Sequence, residues 1–282
     1  MRSIKNIHQA RYSPIADLIT YSPLPSRSLN QIDPFLFLNH HGPQKYPANN
    51  SGLPFGPHPH RGMETVTFIL EGDIMHKDSG GHESIITAGG VQWMTAGSGL
   101  IHAEVSSDQF KKEGGDLEIL QLWLNLPSYL KMTKPQYKGF QKQDIPSIVL
   151  SDQVIMNVVS GTWEGRDGAF KTETDVHLST VQFKQGGKAS FSILPERNIF
   201  FYIIKGRLIV NNYEVNALHL VEFKNDNSEV IVEALEDSIL LLGHAKPLKE
   251  PLVAQGPFVM NSQEEIMQAY DDYRMGKFGS WE

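Results

Sequence analysis

Short apolar or alternating runs punctuated by glycine dominate this chain, among them ETVTFILEG, GVQWMTAG, LEILQLWLNL, VHLSTVQFKQGG, FFYIIKGRLIV and SILLLGHA. Runs of this length, rich in Val, Ile, Phe, Tyr and Thr, read as strands, because branched and aromatic side chains fit a pleated, half-buried surface. Their close spacing predicts an all-β chain of sandwiches or barrels. The one strong helix signal comes late. Ser262 and Glu265 have capping-box spacing, and Ile266, Met267, Tyr270 and Tyr273 then recur at helical intervals. With 282 residues, 40% of them hydrophobic and 20% charged, the chain can bury two cores of ordinary domain size.

A repeat divides the strands into two sets. TFILEGDIMH at 67–76 and FYIIKGRLIV at 201–210 both read as strand, charged residue plus glycine, strand. Superposing Gly72 on Gly206 sets an offset of 206 − 72 = 134 residues, the size of one domain. The expected division is an N-terminal module over 1–135, a linker region over 136–172 and a C-terminal module with the terminal helix over 173–282. The Lys-, Pro- and Gln-rich stretch KMTKPQYKGFQKQDIPS marks the join. The offset carries His58 to Ser192, His60 to Leu194 and Glu64 to Asn198, so the second module is expected to lack the polar set of the first.

Composition narrows the function classes. A net charge of -7 and a pI near 5.9 give no electrostatic footprint for a phosphate backbone, so direct nucleic-acid binding is not expected. The start MRSIKNIHQARYSPIADL has no secretory apolar run, and nowhere do 18 apolar residues follow one another. The expectation is a cytoplasmic protein without a membrane partner, with a nuclear location as the alternative. Cysteine is absent, so a bound metal must be held by nitrogen and oxygen.

Eleven histidines occur, and seven of them fall between residues 40 and 102. In FGPHPHRGME, His58 and His60 are two apart and share one face of an extended strand. AGSGLIHAEV gives His102 and Glu104 the same spacing. On neighbouring antiparallel strands these pairs bring three imidazoles and a carboxylate to one point. Four such ligands leave two octahedral positions for water, dioxygen or substrate. A lone histidine in a strand is more often a surface or hydrogen-bonded core residue. It is the pairing of HxH with HxE beside glycine-rich turns that favours a metal. Sulfur-free ligands suit Fe(II), Mn(II), Ni(II), Co(II) or Cu(II), whereas Zn(II) is satisfied by the four alone. Iron is favoured because open positions on such a site suit dioxygen chemistry.

Glu64 is a second candidate carboxylate if the strand runs unbroken from His58. A bulge at Gly62 would turn it away, which leaves Glu104 as the ligand and Glu64 as a supporting partner or proton acceptor. Pro59 gives up a ladder hydrogen bond and fits a sheet edge. His76, Asp78 and His82 in HKDSGGHES read as a solvated loop, with a pocket rim as the alternative. His40 and His41 read as structural or outer support. Trp93, Met94 and Trp123 read as core, with an apolar pocket wall as the alternative. His177 and His219 receive no chemical role.

FGPHPHRGMETVTFILEG, GGVQWMTAGSGLIHAE and GPFVMNSQEEI together resemble the pirins, a bicupin family of the cupin superfamily. The resemblance runs from LNHHGP near residue 38 to the GPFVMN segment and its helix, more loosely through the linker and the second module. It implies two jelly-roll-like cupin β barrels in tandem with a short C-terminal helix, the first barrel holding one iron through His58, His60, His102 and Glu104. Seven residues separate Glu64 from Gly72 where the general cupin pattern has six, and Ala96 and Gly97 stand where a proline is common. Pirins share these departures.

Some pirins resemble quercetin 2,3-dioxygenases, which open the central ring of a flavonol with dioxygen and release carbon monoxide. The resemblance therefore implies an oxidoreductase acting on flavonol-like aromatic substrates, with Glu104 or Glu64 taking the 3-hydroxyl proton. It also implies, as the runner-up, a protein of another class, metal- or redox-responsive, that modulates a transcription factor or metabolic enzyme without turnover. The acidic charge suits contact with a protein partner.

Overall fold

In the computed structural model, which describes residues 1–281, the glycine-bounded runs fold as antiparallel strands. They group into two units. The first comprises residues 12–21, 35–142 and 248 onward, and the second residues 1–11, 22–34 and 143–247.

In the first unit a seven-stranded sheet runs in the order Gln136–Phe140, Val91–Thr95, Met63–Glu71, Gly115–Asn125, Phe35–Tyr46, Thr20–Leu24, Arg11–Tyr12. A four-stranded sheet runs Phe55–His60, Leu100–Val105, Asp73–Asp78, Glu83–Thr87. Side chains from both sheets meet in one core, Ile74 and Ile86 from the smaller packing with Ile69, Leu117 and Ile119 from the larger.

The second unit repeats this plan. Its large sheet runs Ile4–Gln9, His219–Phe223, Asn198–Lys205, Ser238–Ala245, Val176–Phe183, Val154–Ser160, Ser147–Ser151. Its small sheet runs Lys188–Ser192, Glu229–Ala234, Arg207–Val210, Tyr213–Asn216. The tandem two-sheet architecture is as expected, but the sheets stay open and do not close into barrels. Gln136–Phe140 and Ser147–Ser151, from the stretch read as linker, are edge strands, and Lys138 in the first of them is a residue that blunts further pairing.

The duplication is visible in the backbone. Gly72 and Gly206 both turn their hairpins at φ +81°. Counting outward from them through the pairing register corrects the sequence offset by one residue. His58 faces His102 across the small sheet, and Phe191 faces Val230 at the same place in the second unit. The equivalents of His58, His60, His102 and Glu104 are thus Phe191, Ile193, Val230 and Val232, all buried in the second unit's apolar core. The ungapped offset slipped because the connection from the small to the large sheet is one residue longer in the second unit, five residues from Ile193 to Asn198 against four from His60 to Glu64.

Ser262 caps the helix Gln263–Arg274 in a complete capping box with Glu265. Ile266, Ala269 and Asp272 face inward, whereas Met267 and Tyr273, read as part of the apolar stripe, are exposed. A six-residue helix, Asp108–Glu113, capped by Ser107, had no periodicity long enough to betray it. Among the described residues no helix is long and apolar enough to cross a membrane.

Candidate metal centre

Phe55–His60 lies at the edge of the small sheet, where Pro59 costs no ladder bond. Its pairing with Leu100–Val105 sets His58 opposite His102 and His60 opposite Leu100. Period-two alternation then turns all three imidazoles to the inner face. One nitrogen from each of His58, His60 and His102 lies within 4.8 Å of the other two. His60 and His102 are buried and His58 is partly so.

Hydrogen bonds fix which nitrogen carries the proton in two of the three rings. His58 Nδ1 donates to the Gly56 carbonyl at 2.7 Å, and His60 Nδ1 donates to the Pro257 carbonyl at 3.1 Å. Their Nε2 atoms therefore present lone pairs. Burial, reinforced by His58, lowers the His60 pKa to about 3, and burial with the neighbouring imidazoles holds His102 well below its ordinary value. Both rings are neutral at physiological pH, the form that binds metals.

His58 Nε2 and His102 Nε2 stand 3.0 Å apart, and His102 Nδ1 has no hydrogen-bond partner. Two cis nitrogens about 2.1 Å from one octahedral ion are separated by about 3.0 Å. The residues present thus fit a cation, which would take the His58 Nε2 lone pair and, with the His102 proton moved to Nδ1, that of His102 Nε2 as well.

Glu104 is buried beside this group but is not among the three clustered residues. Its Oε1 accepts from Thr67 Oγ1 at 2.7 Å and from Gln92 Nε2, and its Oε2 accepts from Gln121 Nε2 at 2.5 Å. Each carboxylate oxygen has two acceptor sites, so Oε2 keeps one open. Glu64 sits elsewhere. The chain leaves the small sheet after His60, turns at Gly62 with φ +77°, and resumes in the large sheet, where Glu64 Oε1 accepts from Thr95 Oγ1 at 2.6 Å. The unbroken-strand alternative is excluded; where a bulge at Gly62 is expected from the sequence, the chain instead turns from one sheet into the other.

The hairpin histidines correct the sequence reading. His76 and Asp78 are buried members of the strand Asp73–Asp78, because the turn begins only at Ser79. His76 Nε2 bonds Asp78 Oδ2 at 3.0 Å, and Asp78 in turn engages His82 Nδ1. The His76 ring stacks on Tyr137 with centroids 3.8 Å apart and lies 5.5 Å from His102. Only the alternation of DIMHKD could have flagged His76 as inward. A cavity beyond this stack is lined by Asp78, His82, Ser98, Lys134 and Tyr137, so the rim reading fits His82.

His40 pairs with Glu118 at 2.8 Å and His41 meets Thr20 Oγ1 at 2.8 Å, both in supporting positions. Trp93 and Met94 are core. Trp123 is half-buried, stands edge-on to His60 at 5.1 Å and packs on Phe37 at 4.7 Å, forming an aromatic wall. In the second unit His244 and His177 occupy the places of Trp123 and Phe37, and Arg197 Nε donates to His244 Nδ1 at 2.7 Å.

Comparison with known proteins agrees with the tandem fold. The family model described as Pirin matches residues 18–124, and that described as Pirin C-terminal cupin domain matches residues 178–279. Pirin-1 of Arabidopsis thaliana is 40% identical over 80% of this chain and 78% of its own. A pirin-like protein of Caulobacter vibrioides is 37% identical over 87% of each chain. Among solved structures, quercetin 2,3-dioxygenase from Acinetobacter baumannii superposes with a TM-score of 0.93 over 99% of both chains, at 33% identity.

Proposed function

The chain belongs to the pirin family, and on that premise we propose that it is a metal-dependent dioxygenase of quercetin or related flavonols. The observation that carries this reading is the convergence of three imidazoles on one point beside a carboxylate, found among the described residues in one unit only. His58, His60, His102 and Glu104 would hold the ion, Fe(II) being the best match to a site of nitrogen and oxygen ligands with open positions. When bound, such an ion supplies a route for electron density from a deprotonated flavonol to dioxygen.

The remaining work falls to the chain. Phe37 and Trp123, packed on each other at a tilt of 31°, form an apolar wall against which a ring system can pack. The open acceptor site on Glu104 Oε2 is the one that takes either the ion or the flavonol 3-hydroxyl proton. Thr67, Gln92 and Gln121 lock that carboxylate's rotamer, so the acceptor does not wander. Likeness to the Acinetobacter enzyme supports quercetin as the probe substrate.

Oxygen uptake by Fe(II)-loaded protein on addition of quercetin tests the proposal, with His58→Ala measured alongside. Uptake with carbon monoxide release by the native chain, and loss of both in His58→Ala, is the expected result. Undiminished uptake in a metal-free His58→Ala sample would overturn the mechanism.

A further inference from the structure

We propose that the C-terminal segment from Val253 to Phe278 is a positioning element of the metal centre, setting the proton and ring orientation of His60 through the Pro257 carbonyl. The inference rests on the metal reading above and extends it to residues far away in sequence.

Several contacts seat this segment on the turn between the ligand strand and the large sheet. Besides the His60 Nδ1 bond to Pro257, the Val259 amide donates to the Arg61 carbonyl at 3.0 Å. A Cβ at Gly62 would lie 2.0 Å from the Val259 carbonyl oxygen, so the two backbones touch. Phe258, Met260, Ile266, Ala269 and Phe278 form one apolar cluster that also covers Ile101, the neighbour of His102. The segment therefore grips both ligand strands.

Two buried cations fasten it. Lys131, 1% exposed, donates to the Gly62 carbonyl at 2.9 Å, the Val259 carbonyl at 3.0 Å and Asn125 Oδ1 at 2.7 Å. None of these partners is a carboxylate, and burial lowers its pKa to about 8. A desolvated ammonium is costly, and its three bonds tie the turn to the segment. Arg61 donates to the Ser98 carbonyl at 2.7 Å and to Asp272 Oδ2 at 2.9 Å, with its guanidinium 4.7 Å over the Phe278 ring. Asp272, pulled down to about 2 by bonds to Lys277 and Arg61, stays an anion there.

A ligand imidazole is oriented and made more basic by the acceptor on its other nitrogen, and losing that partner typically weakens metal binding about 10- to 100-fold. The test uses the full chain with cobalt(II) alone, measuring affinity by chelator competition and the visible ligand-field spectrum. Asp272→Asn and Lys131→Met are each expected to weaken binding at least about 10-fold and to shift the spectrum. Asp272→Glu should restore both. Phe191→Ala, a core change in the other unit, should lower thermal stability yet leave affinity and spectrum unchanged. Native affinity and spectrum in Asp272→Asn and Lys131→Met, with only stability reduced, would overturn this inference and leave the metal reading standing. A native chain that binds no cobalt would overturn both.

Discussion

At the residue scale the site depends on which imidazole nitrogen is bare. Carbonyls of Gly56 and Pro257 take the Nδ1 protons of His58 and His60, so the lone pairs face inward before any ion arrives. The spacing of two in PHPH and IHAE made the clustering of the three histidines legible, with Glu104 proposed beside them, because a strand returns to the same face every second residue. Thr67, Gln92 and Gln121 were not legible, since they reach Glu104 from three strands of the other sheet and no local spacing links them. Buried imidazoles also set an acid limit. His41 is lowered to about 3 and His244 to about 2, in each case first by burial. Their ordinary value is near 6.5, so below it the unfolded chain binds protons that the folded chain refuses. Stability is expected to be full above about pH 6.5 and to fall progressively as the pH drops toward 3. Urea midpoints measured across that range check this; a flat profile would contradict it.

At the scale of elements, the turn at Arg61 and Gly62 does most to shape the centre. It carries the chain from the small sheet to the large one, separating Glu64 from the histidines four and six residues earlier. Sequence showed a glycine there and suggested a bulge, but the switch of sheets depends on the segment that packs over it from nearly two hundred residues away, with Val259 bonded to Arg61. For the same reason the helix cap was readable and the buried helix face only partly so: capping is local, whereas the face is chosen by Phe258 and Phe278. Gly62→Ala would meet both a φ of +77° and the Val259 carbonyl. It is expected to destabilise the chain by about 1–3 kcal/mol, read as a lowered denaturation midpoint. An unchanged midpoint would show that the turn relaxes freely.

At the scale of the whole chain, one plan of eleven strands is used twice with opposite interiors. Where the first unit places His58, His60, His102 and Glu104, the second places Phe191, Ile193, Val230 and Val232. The glycine-centred repeat revealed the duplication, and its offset already pointed to a second unit without ligands. The membership of the outer strands could not be read, because Ile4–Gln9 completes the second unit's large sheet from the far end of the sequence. An apolar interior offers a cation nothing, so one ion per chain is expected, bound in the first unit. The most direct measurement is the stoichiometry of Fe(II) binding under anaerobic conditions for the native chain and for His58→Ala/His102→Ala. One equivalent in the native chain and none in the double variant is the predicted result. Two equivalents, or one that survives the double substitution, would contradict it.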